Sequence, residues 1–147
     1  MNKHDYAAAF RLALISLALC GLVFPLVVTG VAQVLTPYQS NGSIVQLHGR
    51  SVGSILIAQN FTSPTLFHSR NSTLSASGVD PDITLQDAYS QIARIHASTG
   101  IPTQVLKEIV DRNVERSLLI AGDPYVNVLR LNLILIQEYP SIYKSFS

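Results

Sequence analysis

From Leu12 to Gly49 the chain carries no Asp, Glu, Lys or Arg, and no other feature restricts its fold so strongly. Inside that gap lies LALISLALCGLVFPLVVTGVAQVL, Leu12 to Leu35, 24 residues of nearly unbroken apolar sequence. About 20 apolar residues, each rising 1.5 Å, cross a hydrocarbon core. The run exceeds the roughly 7–15 residues of a signal-peptide core, and Thr29-Gly30-Val31-Ala32 makes a poor cleavage site, so it reads as a retained anchor. Pro25, near its middle, lacks a backbone N–H and bends the axis. That bend is either a tolerated kink or a shape fitted to a neighbouring helix. Ala13, Ala18, Gly21, Gly30 and Ala32 would let such a neighbour approach closely, although no GxxxG pair favours self-association. Lys3 and Arg11 flank the N-terminal end, and no further Lys or Arg occurs until Arg50. The positive-inside rule therefore expects a cytoplasmic N-terminus over residues 1–11, one membrane helix over 12–35 and an extracytoplasmic domain over 36–147.

That domain is of ordinary single-domain size. The chain's net charge of +1 supplies no basic field for nucleic acid. Its single cysteine, Cys20, lies in the anchor, so no intrachain disulfide forms and packing must hold the domain together.

Turn-forming residues, Thr36-Pro37 and Ser40-Asn41-Gly42-Ser43, lead away from the membrane. Two apolar bursts, Ile44 to Leu47 and Ile55 to Ala58, are bounded by glycine and read as strands of a possible hairpin. Residues 60–83, rich in Asn, Ser, Thr, Pro and Asp, read as a long loop of the kind that is usually functional or mobile. Thr84-Leu85-Gln86-Asp87 has the form of a capping box. Leu85, Ala88, Ile92 and Ile95 then follow at helical spacing until Gly100, which suits a left-handed cap. A second helix is expected from about Thr103, with Val105, Leu106, Ile109, Val110 and Val114 on one face. Over Val126 to Ile136, Leu129, Leu131, Leu133 and Leu135 alternate as on a strand, yet the length also suits a helix. A strand at the start and a helix towards the end is the expectation there. The fold class is α/β: one N-terminal transmembrane helix followed by a small mixed α/β domain.

Chemical motifs are sparse. His48, His68 and His96 stand at no metal-ligand spacing from one another or from cysteine. Neither G-x-S-x-G nor a phosphate loop GxxxxGK[ST] occurs. Asp80-Pro81-Asp82 is a carboxylate pair, but the proline and the helix that follows favour a turn whose charge complements the helix dipole over acid–base work. Gln91 and Arg94 lie off the apolar stripe of the first domain helix, as a solvated face or as partner contacts. Asn41, Asn60 and Asn71 each fit N-x-[ST], which marks exposed surface where the cell glycosylates.

Several stretches together resemble a known family: "FPLVVTGVAQ", "NGSIV", "VGSILIAQNF", "FHSRNS", "SASGVDPDIT", "QIARI" and "GDPYVNVLRLNLIL". In this order they are similar to the KdpC family, the small subunit of the potassium-transporting Kdp ATPase, and they span roughly residues 11 to 136. The chain departs from the family pattern at Ala58, where a glycine is usual, at Asn71 in place of proline, and at Asp82 in place of histidine. A longer stretch after the "FHSRNS" motif is reduced to Thr73 and Leu74.

The resemblance implies a non-catalytic subunit that joins a channel-like potassium-binding subunit and a P-type ATPase subunit in the cell membrane. ATP and K+ would be handled by the complex, and the phosphorylated aspartate belongs to the ATPase subunit. It also implies an effect on ATP affinity through Gln59. A residue outside the membrane cannot touch cytoplasmic ATP, so any such effect would be transmitted as a coupling free energy. Assembly and stabilisation, with the domain over the potassium entrance, is the preferred role. Pro25, Gly30, Gln33 and Asn41 in or near the anchor are the candidate partner contacts on the membrane side. In the domain the candidates are Gln59, Arg70, Asp80, Gln91, Arg94, Asn127 and Asn132. Two other classes compete: an anchored hydrolase using His68 or Asp80, and a free-standing surface binding protein.

Overall fold

The computed structural model describes residues 3–47, 49–70, 79–116 and 123–144. It divides into two compact units, Met1–Ser43 and Ile44–Ser147.

The first unit is helical. Helix α1 (Lys3–Ala18) passes into a five-residue π-helical turn, Leu19–Val23, and continues as α2 (Phe24–Leu35). The sequence accounts for the irregular turn. Pro25 cannot donate to the carbonyl four residues back, and its ring crowds that carbonyl. The helix widens by one residue just before it, so that the Phe24 N–H bonds to the Leu19 carbonyl, a π-type adjustment of the kind found at kinks. From Asp5 to Leu35 the helix is long and apolar enough to cross a membrane. A single helical turn, α3 (Pro37–Ser40), follows. Gly42 and Ser43 then both take positive φ, and the Ser43 carbonyl accepts from the Tyr38 hydroxyl at 3.1 Å.

The second unit is mixed α/β. Strand β1 (Ile44–Leu47) pairs antiparallel with β2 (Arg50–Ser54). The register passes from Val45↔Gly53 to Gln46↔Ser51, which leaves Val52 as the extra residue of a bulge. The expected first strand is present, but the second is not Ile55–Ala58. Ser54 explains the difference. Its hydroxyl accepts the Leu56 N–H at 3.1 Å and its carbonyl accepts the Ile57 N–H at 3.3 Å. Serine bonding its own backbone two residues on makes a turn, and here that overrides the β preference of the isoleucines.

A second two-stranded sheet pairs β3 (Asp82–Thr84) with β4 (Tyr125–Asn127), antiparallel. Helices α4 (Leu85–Thr99), α5 (Thr103–Arg112) and α6 (Val128–Glu138) complete the unit. At the start of α4 the Thr84 side chain accepts the Asp87 N–H, and Gly100 ends it at φ 75°, as expected for a cap and a left-handed stop. Ala88, Ile92 and Ile95 of α4 meet Leu106, Ile109 and Val110 of α5 in the core, together with Ile83, Val126, Val128, Leu131 and Leu135. Strand does give way to helix within Val126–Ile136, and the switch falls at Asn127, whose side chain caps α6 by accepting the Arg130 N–H. The alternating leucines therefore do not line one face of a strand. Leu131 and Leu135 stack one turn apart in the core.

Candidate functional site

Four of the polar side chains singled out in the sequence, Gln91, Arg94, Asn127 and Asn132, converge on the segment from Ser54 to Arg70, which has little regular structure of its own. Such a segment must find hydrogen bonds for its backbone elsewhere, and α4 and α6 supply them.

From α4, Arg94 donates to the carbonyls of Pro64 at 2.7 Å, Leu66 at 3.0 Å and Ser63 at 3.5 Å, and to Gln91 Oε1 at 2.8 Å. Burial lowers the guanidinium pKa. Its planar fork lets one side chain serve several acceptors at once. Gln91, one turn earlier, accepts the His68 N–H at 2.8 Å and donates to the His68 carbonyl at 3.1 Å. From α6, Asn132 does the same for Phe67: it accepts the N–H at 2.7 Å and donates to the carbonyl at 2.9 Å. Asn132 and Phe67 are both fully buried. Each amide thus imitates a strand partner for a single residue. The Tyr143 hydroxyl closes the set by donating to the Thr65 carbonyl at 2.8 Å, and burial raises this phenol to about 12.

A second group anchors the segment's start. Asn127 donates to the Ile55 carbonyl and to Asp82 Oδ1, each at 2.9 Å. Burial raises the Asp82 pKa, while the bond from Asn127 lowers it and the charge of nearby Asp80 raises it. Asp80 in turn accepts the Asp82 N–H at 3.1 Å. The carboxylate pair makes a turn, as expected, but Asp82 faces Asn127 and Thr84 takes the cap of α4. Gln59 donates to the Ile57 carbonyl at 3.0 Å, and its amide lies against Gly53. Arg70 pairs with Asp87 in the first turn of α4 at 3.2 Å.

Gln91 and Arg94 are therefore not simply a solvated face. Together with Asn127 and Asn132 they spend their hydrogen bonds inside the domain. His68 bonds the Ser63 carbonyl through Nε2 and His96 bonds the Ile101 carbonyl through Nδ1, so His68 and Asp80 serve different local partners. His48 and Asn71 lie outside the described residues. Among the described residues no group of three or more His, Cys, Asp or Glu side chains is placed to hold a metal ion. In the first unit, Gln33 and Asn41 form a reciprocal amide pair, at 3.3 and 3.1 Å, across the end of α2. Pro25 sits just past the π-helical turn, and Gly30 has open space around its α-carbon.

Sequence reasoning passed over Gly53, Ser54 and Tyr143. The first two lie inside the "VGSILIAQNF" motif, so a signal was present. Tyr143 has no such signal, since its role depends on how the chain end packs back.

Fold and site together define a class: a small α/β domain with one membrane-length helix before it in the chain, in which Gln91, Arg94, Asn127 and Asn132 brace a single irregular segment. The family model described as "K+-transporting ATPase, c chain" matches residues 6–75 and 72–137. The KdpC subunit of a potassium-transporting ATPase from Caldanaerobacter subterraneus is 35% identical, over 87% of this chain and 92% of the relative. KdpC subunit 2 from Staphylococcus aureus is 33% identical, over 84% and 94% respectively. The Koribacter versatilis KdpC subunit is 31% identical, over 94% and 97%. The chain belongs to the KdpC family. The two matched pieces meet at residues 72–75, where the sequence shows a stretch reduced to Thr73 and Leu74. The alignment with the first relative runs 178 positions against a chain of 147, so that relative holds residues which this chain lacks.

Proposed function

We propose that this protein is a non-catalytic accessory subunit of an ATP-driven potassium-uptake complex. It would hold together a channel-like potassium-binding subunit and a P-type ATPase subunit in the cell membrane. The N-terminus lies in the cytoplasm and the α/β domain outside, in contact with membrane lipid through the single helix. ATP and K+ are handled by the partner subunits, and Gln59 influences ATP affinity only through coupling across the membrane.

The observation that carries this reading is the commitment of Arg94. A guanidinium bonded to three loop carbonyls fixes the shape of a surface segment. Fixing a shape lowers the entropic cost of docking, which is what an assembly subunit requires. The proline-adjacent π-helical turn and the nearby small residues support a helix shaped for neighbouring helices.

Exchanging Leu12–Leu35 for an unrelated apolar helix of equal length tests the reading. The complex should fail to assemble although the swapped chain still reaches the membrane. Full assembly and potassium-stimulated ATPase with the swapped helix would show the anchor to be a mere tether and favour a free-standing surface protein.

A further inference from the structure

An asparagine followed by glycine is prone to lose its side-chain amide in water, and the chain has one such pair, Asn41-Gly42. The Gly42 nitrogen gives up its proton and attacks Asn41 Cγ. The new C–N bond closes a five-membered succinimide, the Cγ–Nδ2 bond breaks, and the nitrogen leaves as ammonia. Water then opens either carbonyl of the ring and leaves aspartate or isoaspartate, with no change of oxidation state. Glycine favours the attack because no side chain stands beside the nitrogen. Here Asn41 is exposed and Gly42 has open space around its α-carbon.

Both reacting groups are nonetheless held. Asn41 Nδ2 donates to the Pro37 carbonyl at 2.6 Å and to Gln33 Oε1 at 3.1 Å, and Asn41 Oδ1 accepts from Gln33 Nε2 at 3.3 Å. The Gly42 N–H donates to the Gln39 carbonyl at 3.0 Å. The Asn41 backbone, at φ −96° and ψ 19°, turns the Gly42 nitrogen away from the side chain. Ring closure therefore requires the turn to open first, as a local unfolding event. Every group in this arrangement belongs to the first compact unit.

We propose that Asn41-Gly42 is a latent deamidation site, that the Gln33–Asn41 amide pair is its lock, and that conversion is one-way for the turn Pro37–Ser43. An ionised aspartate at position 41 has acceptor oxygens and no donor. It cannot give the Pro37 carbonyl and Gln33 Oε1 the hydrogen bonds that Nδ2 gives them. Its charge also falls at the C-terminal end of a helical turn, where backbone carbonyls disfavour an anion. Isoaspartate adds a methylene to the main chain besides. Each opening thus draws the turn towards a product that cannot close the lock again.

The full-length chain in detergent micelles would be incubated at neutral pH beside a synthetic peptide of residues 39–46. Mass spectrometry of proteolytic fragments then follows the change from amide to carboxylate at position 41 and separates aspartate from isoaspartate. Asn60, which precedes Phe61, is the internal control. The parent chain should convert more slowly than the peptide. Gln33→Leu removes two hydrogen bonds and should raise the rate by about 5- to 30-fold, whereas Gln33→Glu keeps an acceptor for Nδ2 and should fall between them. Asn41→Asp stands for the product and should speed amide exchange at residues 41–43, whose N–H groups now serve the Pro37, Gln39 and Tyr38 carbonyls. A parent as labile as the peptide, or a Gln33→Leu chain no faster than the parent, overturns the lock. Loss at Asn60 that keeps pace with Asn41 in Gln33→Leu means general unfolding and overturns it too. A peptide that keeps its amide overturns the site itself, and unchanged exchange in Asn41→Asp overturns the one-way step.

Discussion

The amide of Gln59 rests on the α-carbon of Gly53: a Cβ at Gly53 would stand 2.8 Å from Gln59 Cδ and 3.0 Å from both of its terminal atoms. Gly53 also holds φ at +154° beside the Val52 bulge, a region that side chains rarely adopt. The glutamine therefore has a structural seat that only glycine provides.

Gly53→Ala should destabilise the full-length chain by about 1–3 kcal/mol, from strained backbone together with the displaced amide. Gln59→Ala in the same chain should recover part of this loss. Denaturant unfolding followed by circular dichroism would give the cycle, with a coupling of at least about 0.5 kcal/mol. Additive losses would mean that the two residues do not touch.

Arg94→Lys should behave nearly as badly as Arg94→Ala, since an ammonium cannot reproduce the fork that serves three carbonyls. A loss of about 2–3 kcal/mol is expected for either. Amide exchange should rise in residues 63–68 first, and an unchanged exchange pattern there would contradict the bracing role.

Asn132→Leu keeps the volume but strands the N–H and carbonyl of buried Phe67. Each orphaned group costs about 1–3 kcal/mol, so this substitution should be among the most damaging single changes in the domain. Retained stability on unfolding would show that Phe67 finds other partners.

Asp82 gives a pH signature. Burial raises its carboxyl above the ordinary 3.8, so folding favours the protonated form. Its contribution is present below 3.8 and is lost as pH rises through the raised value. Asp82→Asn, whose carbonyl can still accept from Asn127, should therefore match or exceed the parent in stability at neutral pH. That advantage should vanish in acid, as read from unfolding curves across the acid range. A variant less stable at neutral pH would reverse the assignment.

Much of the architecture is legible in the residues because local signals agree with one another. Thr84, Asp87 and Gly100 mark both ends of α4, and the spacing of Leu106, Ile109 and Val110 sets the buried face of α5. The second strand lies at Arg50–Ser54 and not at Ile55–Ala58 because Ser54 bonds its own backbone, a local contact that no hydrophobic pattern announces. For the braces, residue type was visible and direction was not. Gln91, Arg94 and Asn132 read equally well as surface contacts, because their partners are loop carbonyls far off in sequence. Their internal bonds emerge only when α4 and α6 pack against residues 63–68.

The most direct test is purification of the tagged full-length chain from detergent-solubilised native membranes, with potassium-stimulated ATPase assayed on the eluate. The account predicts co-elution of a P-type ATPase and a channel-like subunit, with activity that disappears when this chain is deleted. A lone, monodisperse, inactive protein would contradict it.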